Sequence, residues 1–179
     1  LIKLIKKNKS VLDVGCGNGI FLERLKKKIN YKSALGFDYS KQMINEAKKR
    51  FIKKTKFIEL DMTDEKQLQL LNQKFDYIIT KRSLINLASF KQQVKVLDKL
   101  SKLLKKNGKI LSCENSLTNL KNINEVRKKV GLKKIIPPWH NVYIENQRLI
   151  NHKFKYIKFI NLHEFSSSFY FITRVINAL

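Results

Sequence analysis

The chain has 179 residues, of which 43% are hydrophobic, and its formal net charge at pH 7 is +24. This length is enough for one globular domain with a core, and no apolar run approaches the roughly 20 residues of a membrane-spanning helix. Nothing marks the two cysteines, Cys16 and Cys113, as a disulfide framework. The sequence therefore predicts a reduced, cytoplasmic protein without a membrane span.

The positive charge has two interpretations. A strongly basic chain is typical of proteins that bind nucleic acid. However, only six of the 38 basic residues are Arg, and the Lys residues are spread along the whole chain. Since Arg is the residue best suited to bidentate phosphate and base contacts, this pattern favours compositional bias plus a solvated surface. A nucleic-acid partner stays open as the alternative.

Short apolar runs alternate with longer amphipathic stretches over the first two thirds of the chain, which predicts an α/β fold with a mostly parallel sheet. Five strands are predicted in chain order: 10–14, 33–37, 56–60, 75–80 and 109–113. Helices are predicted at 18–29, 40–51 with Ser40 as its cap, 63–71, 89–104 ending at Asn107-Gly108, 119–130 and 144–152. The last two predicted elements, 155–160 and 167–174, read as an antiparallel strand pair.

The segment Val11-Leu12-Asp13-Val14-Gly15-Cys16-Gly17-Asn18-Gly19 ends the first strand and opens the first helix. Gly15 and Gly17 let the backbone bend sharply and approach a ligand. The helix that follows presents free N–H groups and a partial positive charge. Ligands of open parallel sheets bind where the strands end, so this turn is the predicted binding site.

The spacing of this turn separates it from a dinucleotide fingerprint. Ile20 stands where the third glycine of that fingerprint belongs, which argues against NAD or FAD. Acidic residues lie in or directly after the first three strands: Asp13, Asp38 and Asp61. Asp38 lies about the right distance downstream to bind two ribose hydroxyls. Three such residues are expected to line one crevice.

With these features, residues 9–114 resemble class I S-adenosylmethionine-dependent methyltransferases. The resemblance implies a Rossmann-like three-layer α/β/α sandwich with a mostly parallel seven-stranded sheet, completed by the C-terminal antiparallel pair. It implies S-adenosylmethionine as cofactor and S-adenosylhomocysteine as product. The chain then reads as a single domain with a cofactor-binding core (1–114), a substrate-side insert (115–153) and the final strand pair (154–179).

The same resemblance implies roles for single residues at the cofactor. Asp13, Gly15 and Gly17 surround the methionine part, with Cys16 between them as a space-filler rather than a nucleophile. Asp38 binds the ribose, Asp61 accepts from the adenine amino group unless it caps the third helix instead of Asp64, and Thr80 and Lys81 flank the sulfonium. Three further side chains are expected beside the ribose and adenine: Tyr39, Met43 and Met62.

The methyl acceptor should lie after the fourth and fifth strands and in the insert, because the displacement must be in line with the sulfonium. His140 is a candidate base, although a structural histidine is an equal reading, and Arg82 is a second catalytic candidate. The candidate substrate residues are Glu114, Trp139, Asn141 and Tyr143. The three His are scattered and neither Cys lies near one, so no metal site is predicted.

We expect methyl transfer to a hydroxyl or amine of a small molecule, because segments 82–87 and 138–141 resemble sugar-directed members of the superfamily. The alternative is an RNA methyltransferase that uses the basic surface. Against it, the residues at 80–83 lack the Asn/Asp-Pro-Pro-aromatic run typical of enzymes that methylate base amines. A non-catalytic module of this fold is a third reading. The sequence makes no prediction of the oligomeric state.

Overall fold

The computed structural model describes residues 1–164 and 168–178. The strands are β1 Ser10–Val14, β2 Ser33–Asp38, β3 Thr55–Glu59, β4 Phe75–Lys81 and β5 Leu104–Cys113. The α-helices are α1 Ile20–Lys28, α2 Lys41–Lys48, α3 Glu65–Gln69, α4 Phe90–Ser101, α5 Leu117–Lys129, α6 Asn146–Ile150 and α7 Ser168–Arg174. Short 3₁₀ turns occupy Ile2–Leu4, Leu84–Asn86 and Ile176–Ala178.

The five strands form one parallel sheet in the order β3-β2-β1-β4-β5. Because all strands run the same way, their carboxyl ends meet at one edge, here called the carboxyl edge. Val14 aligns there with Phe37 on one side and with Thr80 on the other. The chain order reverses between β1 and β4, and this switch point opens a crevice at the carboxyl edge.

Each face of the sheet is covered by its own apolar cluster. Leu12, Leu35 and Ile78 point to one face and pack with residues of α3 and α4. Val11, Ala34 and Ile79 point to the other face and pack with residues of α1 and α2. Successive residues of a strand point to opposite faces of the sheet, so a strand that is covered on both faces is mostly apolar. All five residues of β1 are buried, and only Ser10 and Asp13 among them are polar. This layering agrees with the predicted α/β/α arrangement.

Side-chain caps begin four of the helices and explain their starting points. Ser40 Oγ accepts from Met43 N at 3.3 Å, which confirms the predicted cap of α2. Ser89 and Ser116 begin α4 and α5 in the same way. Asp64 accepts from two backbone N–H groups of α3. Each such cap contributes about 1 kcal/mol to stability.

The boundary between α4 and β5 differs from the prediction. We expected the helix to run to Leu104 and the strand to begin after Asn107-Gly108. Instead α4 ends at Ser101 and β5 begins at Leu104, which aligns with Phe75. Backbone pairing with β4 replaces the last helical turn, and the Asn107-Gly108 pair lies within an irregular stretch of β5, with Asn107 at φ 64°.

The predicted C-terminal strand pair is wrong within the described residues. The stretch 155–160 is neither helix nor strand, and Ser168–Arg174 forms α7. Ser167, the first residue of the second predicted strand, lies outside the described residues. β-branched and aromatic residues favour a strand only where they pack on a sheet. No other described strand pairs with the outer edge of β5, so these residues have no sheet to join. The sheet is therefore five-stranded in the described chain, not seven-stranded.

Candidate active site

The glycine turn after β1 depends on backbone conformations that disfavour other residues. Gly15 and Gly17 have φ of 66° and 52°, in the left-handed region. A Cβ on Gly15 would lie 2.6 Å from the Cβ of Ser83, so the turn and the chain after β4 pack too closely for any side chain. A Cβ on Gly17 would meet nothing within 4 Å. The turn is therefore packed at Gly15 and open at Gly17, where a ligand can approach.

Asp38 ties the end of β2 to this turn. Its Oδ2 accepts from Gly17 N at 2.9 Å, and its Oδ1 accepts from Ser40 N at 3.0 Å. A carboxylate has about four lone-pair sites, so two backbone donors leave part of its acceptor capacity unused. Asp38 and the glycine turn, which the sequence predicts at one crevice, are thus in contact although they lie 21 residues apart in the chain.

Asp13 is buried beneath the same turn. Its Oδ2 has no hydrogen-bond partner among the described residues, and only 2% of the residue is exposed. Burial raises the pKa of this carboxyl to about 7, the nearby charge of Lys81 lowers it, and Asp38 raises it. An unpaired carboxylate oxygen in this environment is costly unless it is protonated or meets a cationic or donor group.

Cys16 is buried in the turn, and its Sγ donates weakly to Gly17 O at 3.5 Å. Burial, reinforced by the negative charges of Asp13 and Asp38, raises the pKa of its thiol. A nucleophilic cysteine needs the opposite shift, because the thiolate is the reactive form. The geometry agrees with a residue that fills space.

The adenine-side candidates lie at the ends of β2 and β3. Asp61 is exposed, and its Oδ1 accepts from the N and Oγ1 of Thr63. Since Asp64 caps α3, Asp61 is not the cap of that helix. Tyr39 is 75% exposed and Met43 37% exposed, while Met62 is half-buried against the core.

The end of β4 carries the candidates nearest the switch point. Thr80 is fully buried, and its Oγ1 donates to Ser112 Oγ at 2.9 Å. Lys81 is exposed, with its Nζ 5.7 Å from the centre of the Phe21 ring. Arg82 is exposed and has φ 53°, a strained conformation that turns the chain sharply after the strand.

Glu114, directly after β5, accepts hydrogen bonds from the backbone of the turn that follows β4. Its Oε1 accepts from Ser83 N at 3.3 Å and Leu84 N at 3.2 Å, while Oε2 is buried without a partner among the described residues. Burial raises the pKa of this carboxyl, and the two backbone donors lower it. The sequence predicts that Glu114 contacts the substrate, whereas the hydrogen bonds in the structure join Glu114 to the backbone of Ser83 and Leu84.

Ser83 is the residue that sequence reasoning missed. It is 3% exposed, it packs against Gly15, and its Oγ has no hydrogen-bond partner within the described part of the chain. In residues 1–164 and 168–178, three of the four buried side-chain polar atoms without partners belong to Asp13, Ser83 and Glu114, which lie in or after β1, β4 and β5. A serine after a strand is common, so the sequence alone does not indicate a site there. Ser83 becomes a candidate site residue only because it packs against Gly15.

The insert candidates lie on an exposed loop that is fastened to the 3₁₀ turn Leu84–Asn86. Val142 N donates to Ile85 O at 2.7 Å, and Asn141 Nδ2 donates to Asn86 Oδ1 at 2.8 Å. Trp139 is 96% exposed, and its ring meets that of His140 edge to face with 5.4 Å between centres. Tyr143 packs against the core. The loop therefore stands beside the end of β4, with its largest aromatic side chain free of the core.

The described residues contain no group of three His, Cys, Asp or Glu side chains that could hold a metal ion. Among residues 1–164 and 168–178, none of the helices combines the length and apolar character of a transmembrane span.

Known proteins resemble this chain in sequence and fold. Residues 5–161 match the family described as a methyltransferase domain. The chain belongs to this methyltransferase family. The uncharacterized protein RP028 of Rickettsia prowazekii is 32% identical to the methyltransferase domain over 118 residues, which are 65% of this chain and 47% of that protein.

Two solved structures resemble the methyltransferase domain. PKMT2 of Rickettsia typhi, in complex with S-adenosylhomocysteine, is 29% identical with a TM-score of 0.55 over 73% of this chain and 24% of that chain. The sugar N-methyltransferase KedS8 of a Streptoalloteichus species is 23% identical with a TM-score of 0.54, over 62% of this chain and 43% of that chain. The cofactor of this domain is S-adenosylmethionine. The domain spans about half of RP028 and a quarter of PKMT2.

Proposed function

We propose that the chain binds S-adenosylmethionine at the carboxyl edge of β1, β2 and β4 and transfers its methyl group to a hydroxyl or amine of a small molecule such as a sugar. The observation that carries the proposal is the hydrogen bond from Gly17 N to Asp38, made near the buried Asp13, whose Oδ2 has no partner among the described residues. It brings an open glycine backbone and two carboxyls to one point of the switch crevice.

The residues present fit this cofactor. The unused acceptor sites of Asp38 suit two ribose hydroxyls. The orphaned Asp13 Oδ2 suits a positively charged methionine part, which would supply the donor that the buried oxygen lacks. Asp61, Tyr39, Met43 and Met62 form the adenine side, and Thr80 and Lys81 lie where the sulfonium would be held.

The cofactor supplies an activated methyl group, so the chain's own task is to hold the acceptor in line and take up its proton. The acceptor would lie against the exposed surface of the 3₁₀ turn Leu84–Asn86 and the insert loop, which the hydrogen bond between Asn86 and Asn141 holds together. Trp139 offers a free ring to cover a sugar face. His140 lies beside Trp139 and would accept the acceptor's proton when the methyl group passes from the sulfur of the cofactor to the oxygen or nitrogen of the acceptor. Arg82 and Tyr143 are further candidates for contact with the acceptor.

RNA as the acceptor is the weaker proposal. The segments that lead into the strands are rich in Lys, whereas the carboxyl edge mixes Asp61, Asp64 and Glu114 with Lys81 and Arg82. A five-residue strand separates these two edges by about 17 Å. RNA that binds the Lys-rich edge, where the strands begin, would therefore lie too far from the cofactor site for one of its bases to receive the methyl group.

Titration calorimetry tests the proposal. We expect S-adenosylmethionine and S-adenosylhomocysteine to bind with micromolar dissociation constants and NAD not to bind. Methyl transfer from labelled cofactor to a panel of sugars, amines and RNA then identifies the acceptor class. Binding of NAD alone, or of neither sulfur compound to the folded chain, would refute the proposal.

A further inference from the structure

The amino edge of the sheet, where the strands begin, carries a concentrated positive charge. Five segments meet there because the strands are parallel: 4–9, 26–32, 48–54, 70–74 and 102–108. We call them together the lysine face. They contain 15 Lys and one Arg among 32 residues and no Asp or Glu, against 38 basic residues in the 179 of the whole chain. Half of the residues of this face are therefore basic.

Nearby carboxylates do not neutralise the lysine face. Asp76 already pairs with Lys9 and Lys105, and Glu65 pairs with Lys102. Glu23 likewise pairs with Lys27 and Arg50, and Glu46 pairs with Lys49. Among the described residues, ten of the sixteen basic side chains of the face have no ion-pair partner, including Lys7, Lys32 and Lys53, which are all exposed.

Helix dipoles account for only part of this charge. The carboxyl ends of α1 and α2 lie at this edge, and basic residues in a last helical turn are stabilising. That explains Lys26, Lys28 and Lys48. It does not explain Lys32 and Lys53, which lie in the loops outside any helix.

Bulky apolar side chains are exposed among these lysines. Phe51 is 91% exposed, Leu70 is 82% exposed and Leu4 is 55% exposed, and each belongs to a different segment of the face. Phe51 has φ 46°, so the loop between α2 and β3 holds it in a conformation that costs energy. Protein surfaces that bind the membrane interface combine Lys or Arg with exposed Phe and Leu side chains, and the lysine face has this composition.

We propose that the lysine face docks the domain on the surface of an anionic lipid bilayer, with the headgroups bound by the lysines and with Phe51, Leu70 and Leu4 dipping into the acyl boundary. Lys attracts anionic headgroups without directional contacts, and inserted Phe and Leu side chains add apolar burial. RNA fits less well, since the face holds one Arg and one exposed aromatic ring, whereas single strands need a series of stacking rings.

This docking would place the carboxyl edge on the far side of the domain, away from the bilayer. The switch crevice and the insert loop with Trp139 would then stay open to water. The inference is independent of the proposed methyl acceptor, because it concerns the opposite edge of the sheet.

Vesicle flotation of the purified chain tests the proposal directly. We expect binding to vesicles of phosphatidylcholine with about 30% phosphatidylglycerol, no binding to pure phosphatidylcholine, and loss of most binding at about 0.5 M salt because that concentration screens exposed charges. A single-stranded RNA of 20 nucleotides is the competing arm. Tight RNA binding without vesicle binding would overturn the proposal, and so would equal binding to both vesicle types.

Two sets of variants locate the surface. The triple change Lys7→Glu, Lys32→Glu and Lys53→Glu should weaken binding to the anionic vesicles at least tenfold. The matched control, Lys121→Glu, Lys128→Glu and Lys129→Glu on exposed positions of α5, has the same change in net charge and should bind within about threefold of the parent. Equal losses in both would show that only overall charge matters, which contradicts a defined face.

The apolar part has its own test. Phe51→Ala together with Leu70→Ala should lower vesicle binding several-fold without changing its salt dependence. Ile136→Ala, at a residue that is 82% exposed outside the lysine face, should have no effect. Since all these side chains are exposed, the variants should fold, which circular dichroism checks. Unchanged binding in the Phe51 and Leu70 variant would overturn the insertion.

Discussion

The Cβ of Ser83 lies 2.6 Å from the position that a Cβ on Gly15 would occupy. The chain after β4 therefore contacts the turn after β1 directly, and this contact is possible because Gly15 has no side chain. This contact brings the hydroxyl of Ser83, which has no hydrogen-bond partner among the described residues, to the glycine turn of the candidate cofactor site.

Gly15→Ala should destabilise the domain strongly. The left-handed φ of 66° costs roughly 1–2 kcal/mol for a non-glycine residue, and the clash with Ser83 adds about 1–3 kcal/mol. Gly131→Ala is the matched control, since its φ is 73° but its Cβ would meet nothing within 4 Å. It should lose roughly 1–2 kcal/mol only. Urea unfolding measures both, and equal losses would contradict the contact.

Asp38→Ala should abolish or greatly weaken cofactor binding, because it removes a charged acceptor worth about 1.5–3 kcal/mol per hydrogen bond. Asp64→Ala is the control at the same edge. It removes the cap of α3 and should cost about 1 kcal/mol of stability while leaving cofactor affinity unchanged. Calorimetry with S-adenosylhomocysteine measures the affinity. Unchanged affinity in the Asp38 variant would refute its assignment to the ribose.

Asp13 should make the stability of the ligand-free domain fall as the pH rises. Burial raises its pKa from 3.8 to about 7, so between these values the folded state holds a proton that the unfolded state has released. Stability from this group is fully present below about pH 4 and is lost by about pH 7, a change of about 4 kcal/mol. Asp13→Asn should remove this slope, as urea unfolding from pH 4 to 8 would reveal. An identical slope in the variant would contradict a buried neutral Asp13.

His140→Ala and Trp139→Ala should lower turnover and leave both cofactor affinity and stability unchanged. Both side chains are exposed, so their removal leaves no cavity. If His140 is the base, the fall should be about 100-fold or more in kcat, whereas loss of Trp139 should act mainly on KM. Unfolding of the His140 variant would instead indicate a structural histidine.

Two variants of Glu114 test whether this residue supports the backbone or contacts the methyl acceptor. Glu114→Ala leaves two backbone donors, Ser83 N and Leu84 N, without their acceptor and should cost about 1–3 kcal/mol. Glu114→Gln keeps one acceptor oxygen and should retain most of that stability. If turnover in the Gln variant is normal, Glu114 is a support. A large fall in turnover with normal stability would assign it to the acceptor.

The parallel core and its ligand edge could be predicted from the sequence because their signals are local. The apolar runs of β1 to β4, the cap at Ser40 and the glycine turn after Val14 each depend on neighbours in the chain. Asp13 and Asp38 could be placed at one crevice because parallel strands end at the same edge. The same reasoning failed at 167–174, where aromatic and β-branched residues indicated a strand but the described residues form α7.

The sequence by itself determined the glycine turn and the acidic strand ends, since these are residue types at fixed spacings, and the cofactor class followed from the family that they resemble. Only the tertiary structure decided that Ser83 lies on Gly15, that Glu114 supports the turn below it, and that the lysines gather at the edge opposite the crevice. These features join residues far apart in the chain. Their contacts exist only because β4 lies between β1 and β5 in a parallel sheet, an arrangement that no local pattern specifies.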